Sequence, residues 1–295
     1  MSTPHAILER LAGMGIVPSG VADDSRQVQA GDLFLAYPGA LADGRRYIGD
    51  ALARGAVAVL WQPGDDFAWS HDGPNFPVPA LRPLAGPLAH AVYGHPSEAL
   101  SLIAITGTNG KTTISQCLAR AYPKPCAIIG TLGAGFPDAL TETGFTTPEA
   151  TTLMRYLAQF RARQAAACAL EASSIGIEEG RMNGARVDVA VFTNFTRDHL
   201  DYHGSMEAYA DAKEKLFHWP HLRTAVINVD DEFGRKLLRD TSALRVLGYG
   251  IGESRRDFHA VVRAEALTDL AHGQRFNLVL PNGRAVVETA LVGRY

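Results

Sequence analysis

Lys111 and Thr112 stand at the end of the run Thr106-Gly107-Thr108-Asn109-Gly110-Lys111-Thr112-Thr113, which directly follows the apolar stretch Leu102-Ile103-Ala104-Ile105. A buried strand feeding a Gly-rich turn and then a helix aims backbone N–H groups and the helix N-terminus at one point, where phosphates bind. In such a loop Lys111 reaches β- and γ-phosphates and the Thr112 hydroxyl reaches Mg²⁺. The full phosphate-loop pattern asks for glycine at position 105, where this chain has Ile105, so only the second half of the pattern is present. Packing alone does not call for Gly107, Gly110, Lys111 and Thr112 together.

Two further stretches carry candidate chemistry. Glu171 follows the apolar run 167–170, and a carboxylate at such a strand end is costly to bury unless it meets a cation; Mg²⁺ beside ATP phosphates suits it. Its plain alternative is a solvated strand end. The segment Arg197-Asp198-His199-Leu200-Asp201-Tyr202-His203 packs six ionisable side chains into seven positions directly after a strand. His199 is placed to ligate a metal or hold a metal-bound water, with His203 in a structural role; a surface loop is the alternative. Lys213 reads by default as a solvated helix lysine.

Bulk composition narrows the classes. A chain of 295 residues with 46% apolar and 20% charged residues is globular with an ample core, and its length suggests two domains. A net charge of −3 gives no basic surface for nucleic acid. The N-terminal stretch holds Glu9 and Arg10 and does not read as a signal peptide, and no apolar run approaches a membrane span of ~18 residues. Cys117, Cys126 and Cys168 are widely spaced, as small core residues of a reducing compartment are. The expectation is a soluble cytoplasmic protein without membrane insertion; the residues carry no signal of oligomeric state.

The elements that must position these residues come in two groups. Residues 1–93 contain a short helix over 6–11, strands over 33–36 and 56–60, a helix over 48–54 and a long loop over 62–79. Gly94-His95-Pro96-Ser97 marks a boundary. Beyond it strands and helices alternate: a helix over 111–121, strands over 126–129, 167–170, 187–192 and 224–229, and a helix from Ser205 to Phe217. Thr146-Thr147-Pro148 is expected to cap a further helix with Leu153, Tyr156, Leu157 and Phe160 on its apolar face. Pro281-Asn282-Gly283 signals a hairpin in the tail. The fold class is therefore α/β: a small N-terminal α/β domain (1–93), then a phosphate-loop-type domain (94–295) with a mostly parallel sheet and a hairpin-containing tail.

In this order the pieces resemble the Mur ligase family over residues 23 to about 291. The resemblance rests on Asp24-Ser25-Arg26 with Gly31-Asp32-Leu33-Phe34, on Ala42-Asp43-Gly44-Arg45-Arg46-Tyr47, and on the Thr106–Thr113 loop, in which the family accepts Ile105. Thr146-Thr147-Pro148 and the stretch Val191–Gly204 followed by Tyr209–Lys213 complete it. The resemblance implies an ATP-dependent, Mg²⁺-requiring ligase of peptidoglycan precursor synthesis. It would add a diamino acid, meso-diaminopimelate or L-lysine, to UDP-MurNAc-L-Ala-D-Glu through an acyl phosphate. It further implies that Gly107, Thr108, Asn109, Gly110, Lys111, Thr112, Thr113 and Asn194 bind ATP. Thr112, Glu171, His199 and a carbamylated Lys213 would serve Mg²⁺, and Ser25, Ala40, Leu41 and Ala42 would touch the uridine part. Thr146, Thr147, Ser173, Glu179 and Arg181 would contact the muramoyl-peptide.

Two positions depart from the family: Ile175 stands where a histidine is frequent, and Glu179 where a glutamine is. A carboxylate facing an anionic substrate is unfavourable, so Glu179 is expected to point elsewhere or accept from another donor, leaving Arg181 as the stronger contact. The family also continues past residue 295 into a third, amino-acid-selecting domain, so the second domain is expected to be incomplete here and the chain inactive by itself. A folylpolyglutamate synthetase-like ligase and a non-catalytic nucleotide-binding module are the competing expectations.

Overall fold

The computed structural model describes residues 3–39, 42–64, 66–252 and 262–291. Thr3 caps the first helix by accepting from the Ala6 N–H, and Pro4 sits where a missing N–H is harmless, so α1 runs Pro4–Gly13. Strands β1 (Gly20–Ala22), β2 (Asp32–Ala36), β3 (Ala58–Trp61) and β4 (Asn75–Pro77) form a four-stranded parallel sheet in sequential order, with α2 (Ile48–Ala53) between β2 and β3. β4 lies inside the stretch expected to be a loop. It is three residues long and contains Pro77, which a sheet edge tolerates because no ladder N–H is needed there. After β4, α3 (Ala85–Val92) and α4 (Pro96–Ala99) lead toward the second sheet.

That sheet holds β5 (Ser101–Thr106), β6 (Cys126–Gly130), β7 (Gly133–Phe136), β8 (Ala139–Thr141), β9 (Ala167–Glu171), β10 (Val189–Phe192), β11 (Thr224–Asn228), β12 (Arg245–Ile251), β13 (Val262–Leu270), β14 (Gly273–Leu280) and β15 (Gly283–Thr289). Their order is β15-β14-β13-β12-β11-β10-β5-β9-β6-β7-β8. Every neighbouring pair from β13 to β6 is parallel, and the ends are antiparallel: the expected hairpin β14–β15 with β13–β14 beside it at one end, and the unexpected β6–β7 and β7–β8 pairs at the other. The expected mostly parallel sheet with a hairpin in the tail is found, with antiparallel strands at both edges. β6 and β9 are buried at every residue, and β5 and β10 at all but their first, as strands covered on both faces must be. The helices are α5 (Lys111–Ala121), α6 (Ala150–Ala162), α7 (Ser174–Glu178), α8 (Leu200–His203), α9 (Met206–Glu214) and α10 (Glu232–Asp240). Leu153, Leu157 and Phe160 of α6 are buried and Tyr156 packs against them from the rim.

Two local expectations give way. α6 starts at Ala150 with Glu149 at its cap, not at the Thr146–Thr147 pair, and no side chain caps it. Thr147 is instead buried, its hydroxyl donating to the Glu171 carbonyl at 2.7 Å and its Oγ1 accepting from the Ser173 N–H. The helix capped by Ser205 ends at Glu214 and tightens into a 3₁₀ turn over Lys215–His218.

Candidate active site

β5 lies between β9 and β10, with Ile105 beside Glu171 and Thr106 beside Phe192. The loops leaving these three strands therefore open at one level on the carboxyl side of the sheet, where ligands of open α/β folds gather. The loop after β5 is held in shape by the loop after β10. Thr193 Oγ1 donates to the Asn109 carbonyl at 2.6 Å, the Asn194 carbonyl accepts from the Thr108 N–H, and the Asn194 side chain bonds both the N–H and the carbonyl of Asn109. Gly107 has φ +142°, and a Cβ there would collide with Thr193 Oγ1; Gly110, at φ +86°, makes the left-handed turn into α5. With both ends of its amide occupied, Asn194 shapes the loop.

Lys111 lies over this loop and donates to the carbonyls of Gly107 at 2.8 Å and Thr108 at 3.0 Å. Burial pushes its ammonium below the ordinary lysine range, offset in part by Glu171 and Asp198. Beneath it, Glu171 is 1% exposed. Its carboxylate accepts from the hydroxyls of Thr112 at 2.8 Å, Thr131 at 3.0 Å and Ser115 at 3.3 Å, and from the Thr131 N–H. Among the described residues no basic side chain reaches it within ion-pair distance. The solvated-strand-end alternative is therefore excluded. A buried carboxylate ringed by hydroxyls and lacking a cationic partner is a hard-oxygen donor set of the kind that fits Mg²⁺.

Lys213 is also not a solvated lysine. It is 1% exposed, with its Nζ 4.4 Å from the centre of the Tyr209 ring. The two are four residues apart on α9 and so share one face. Burial, reinforced by the nearby Lys111 charge, lowers the Lys213 ammonium to about 7. His199 is at φ +49° at the start of α8, half-exposed, with Asp198 beside it and its ring edge-on to Tyr209. His203 Nε2 lies 3.0 Å from the Ser174 hydroxyl, with its ring beside that of Tyr209.

A cleft of ≈ 390 Å³ is lined by Thr108, Asn109, Gly110, Lys111, Thr112, Thr113, Thr146, Thr147, Ser173, Arg181, His199 and Lys213, with Phe145, Thr131, Ser174 and Ile175. Gly107 and Glu171 lie under its floor. A second cleft, ≈ 660 Å³, contains Ser25, Ala42, Glu179 and Arg181, together with Asp23, Tyr37, Arg82 and Glu149. Phe145 and Arg181 line both clefts, which are therefore immediate neighbours. Ala40 and Leu41 lie outside the described residues. Arg181 is held by the Thr147 carbonyl at 3.0 Å and by Glu179 at 2.5 Å, with Glu149 at 3.3 Å and the Phe145 ring against its guanidinium. Glu179 is thus turned onto arginine. Burial raises the Glu149 carboxyl above the usual range, against the pull of Arg181.

Thr131, Ser115 and Tyr209 escaped the sequence reading. Thr131 follows the carboxyl end of β6 and Tyr209 lies one helical turn before Lys213, so each carried a positional signal. Arg82, which approaches Glu179 at 3.9 Å, carried none.

Comparison with known proteins gives consistent matches. Residues 105–295 match the sequence profile described as the Mur ligase middle domain, and residues 19–85 that described as the Mur ligase family, catalytic domain. A UDP-N-acetylmuramoyl-L-alanyl-D-glutamate–2,6-diaminopimelate ligase of Chromobacterium violaceum is 46% identical over 98% of this chain and 58% of its own length. The protein of the same name from Ectopseudomonas mendocina is 46% identical over 100% of this chain and 61% of its own. The chain therefore spans about three fifths of the curated relatives it matches. A solved structure with that enzyme name superposes with a TM-score of 0.80 at 35% identity, over 94% of this chain and 56% of its own. A folylpolyglutamate synthetase complex with AMPPCP, at 18% identity and a TM-score of 0.53 over 72% of this chain, shares the fold.

Proposed function

The chain belongs to the Mur ligase family, and from that premise we propose that it carries the acceptor- and ATP-binding parts of a ligase that joins 2,6-diaminopimelate to UDP-MurNAc-L-Ala-D-Glu, forming ADP and phosphate. The relatives' names supply the choice of diaminopimelate over lysine. The observation that carries the reading is the adjacency of the two clefts at Phe145 and Arg181, which would let an acceptor anchored near Ser25 present its free carboxylate toward Lys111. Residues 1–93 would be the UDP-substrate domain and 94–295 the ATP-binding domain. Among the described residues no helix is long and apolar enough to cross a membrane. The proposed site of action is the cytoplasm.

In this reading the loop N–H groups and Lys111 hold the β- and γ-phosphates, with Lys111 released from its two loop carbonyls onto phosphate oxygens. Thr112, Glu171, His199 and a carbamylated Lys213 would hold Mg²⁺, which when bound supplies charge neutralisation at the phosphates. The neutral Lys213 amine forms an N–C bond to CO₂ and loses one proton, turning a buried cation site into a carboxylate. Arg181 orients the acceptor carboxylate. One of its oxygens attacks the γ-phosphorus as the bond to the β-phosphate oxygen breaks, giving an acyl phosphate and ADP. The incoming amine then attacks the acyl carbon, phosphate departs, and the nitrogen loses a proton. No protein nucleophile is required, because positioned cations and dipoles stabilise the developing charge.

Steady-state ADP formation by the chain extended to the length of its relatives tests this. It is expected only when UDP-MurNAc-L-Ala-D-Glu, diaminopimelate and Mg²⁺ are all supplied; ADP release independent of the acceptor would contradict it.

A further inference from the structure

Four of the chain's ten histidines, His5, His90, His95 and His221, line one cavity of ≈ 920 Å³. It lies at the amino-terminal ends of the strands, near the residues that precede β5 and β10, opposite the phosphate loop. Within it His90 Nδ1 and His95 Nδ1 are 3.1 Å apart, and Glu98 Oε1 is 3.7 Å from His95 Nδ1. The three ligand atoms all fall within 4.8 Å of one another.

We propose that His90, His95 and Glu98 bind one divalent transition-metal ion, Zn²⁺ by donor type, which pins the last turn of α3 to the turn entering β5. Two imidazole nitrogens at about 2.0–2.1 Å from a tetrahedral Zn²⁺ are about 3.3 Å apart, so the observed spacing needs adjustment by tenths of an ångström. Two nitrogens and one carboxylate oxygen suit zinc better than Mg²⁺ or Ca²⁺, which take oxygen ligands.

The surroundings are already built for ligation. His90 is buried, and its Nε2 lies 2.8 Å from Ser97 Oγ, which also accepts from the Arg186 N–H. With the His90 proton on Nε2 and donated to Ser97, the Nδ1 lone pair faces His95, the arrangement in which a ligating histidine is oriented by its other nitrogen. His95 presents its ring from a left-handed backbone, φ +55°. That turn is pinned from α6 by Arg161, which donates to the carbonyls of Gly94 at 2.6 Å and Tyr93 at 3.1 Å. His95 and Glu98 are each about half exposed (57% and 52%), leaving an open side for entry and for a water as fourth ligand. The rings need no net deprotonation: each neutral imidazole shifts its one N–H to Nε2.

The test is Zn²⁺ titration of chelator-stripped protein by calorimetry, with millimolar Mg²⁺ present to fill oxygen-ligand sites and with Co²⁺ as a visible-absorption probe. One Zn²⁺ per chain is expected, with ligand-field bands of low-coordinate Co²⁺ and a rise in Tm on metal addition. His95→Gln and Glu98→Gln, both at half-exposed positions, are each expected to weaken Zn²⁺ binding at least about tenfold and to leave the metal-free Tm unchanged. Absence of stoichiometric binding in the wild type, or binding that persists undiminished in both variants, would overturn the proposal.

Discussion

Lys213 offers the sharpest test of the proposed chemistry. A lysine of ordinary pKa, about 10.4, is neutral in roughly one molecule in 2,500 at pH 7. Burial and the Lys111 charge bring Lys213 to about 7, so about half of the chains carry the free amine, an enrichment on the order of 10³ in the form that reacts with CO₂. Carbamate formation also releases a proton. At fixed dissolved CO₂ and partial loading, occupancy should therefore change about tenfold per pH unit above 7 and about a hundredfold per unit below it, where protonation of the amine adds a second power. The assay is ¹³C NMR of protein equilibrated with ¹³CO₂, with Lys213→Met as the control. A Lys213-dependent carbonyl resonance whose pH profile bends near 7 is expected. A resonance that survives Lys213→Met, or a bend near 10, would rule out a carbamate on a Lys213 amine depressed by burial. The same shift has a stability counterpart. The folded pKa is below the unfolded one, so below pH 7 the penalty for the buried cation is fully present, and between about 7 and 10.4 the unfolded chain binds more protons and stability rises with pH. The contribution is roughly 4–5 kcal/mol, and Lys213→Met should remove this rise from denaturant melts.

Three other perturbations probe neighbouring parts of the site. Thr147→Val removes a buried hydroxyl that serves both the Glu171 carbonyl and Ser173; chemical denaturation should show a loss of about 1–3 kcal/mol. Asn194→Ala frees the Asn109 N–H and removes one of the two donors to its carbonyl, leaving that from Thr193, and is expected to weaken nucleotide binding about 5- to 30-fold, the equivalent of about 1–2 kcal/mol, with Tm little changed; unchanged affinity in a nucleotide titration would contradict the loop-shaping role. Glu179→Gln relaxes the ion pair on Arg181 and should tighten acceptor binding several-fold in calorimetry, whereas weaker binding would mean that Glu179 itself contacts the acceptor.

The parts of the molecule legible in the sequence are those whose local pattern and burial agree. Leu102–Ile105 and residues 167–170 are apolar on both faces because the middle of the sheet is covered on both sides, and α5 runs over the stretch its spacing marks. What escaped is set by tertiary partners. β4 and the β7–β8 hairpin are short edge strands, too short to show a period. Thr147 has the chemistry of a helix cap, but the Glu171 carbonyl and the Ser173 N–H lie close enough to claim its hydroxyl instead. Lys213 reads as solvated because nothing in Ala210–Glu214 tells which face of α9 turns inward; its burial follows from Tyr209 one turn earlier and from α7 packed alongside. Arg82 reaches Glu179 from a different domain-sized stretch of the chain, a juxtaposition that no local pattern records.

Calorimetric titration with UDP-MurNAc-L-Ala-D-Glu, with UDP-GlcNAc as the control ligand and circular dichroism to establish folding, decides whether this chain holds the acceptor site. Saturable one-to-one binding is predicted, with clear preference for the muramoyl-dipeptide and a loss of about tenfold or more on Arg181→Ala, as removal of a charged hydrogen-bond partner implies. A folded chain that binds neither ligand, or binds both equally, would contradict the assignment of the neighbouring clefts as the acceptor and ATP sites.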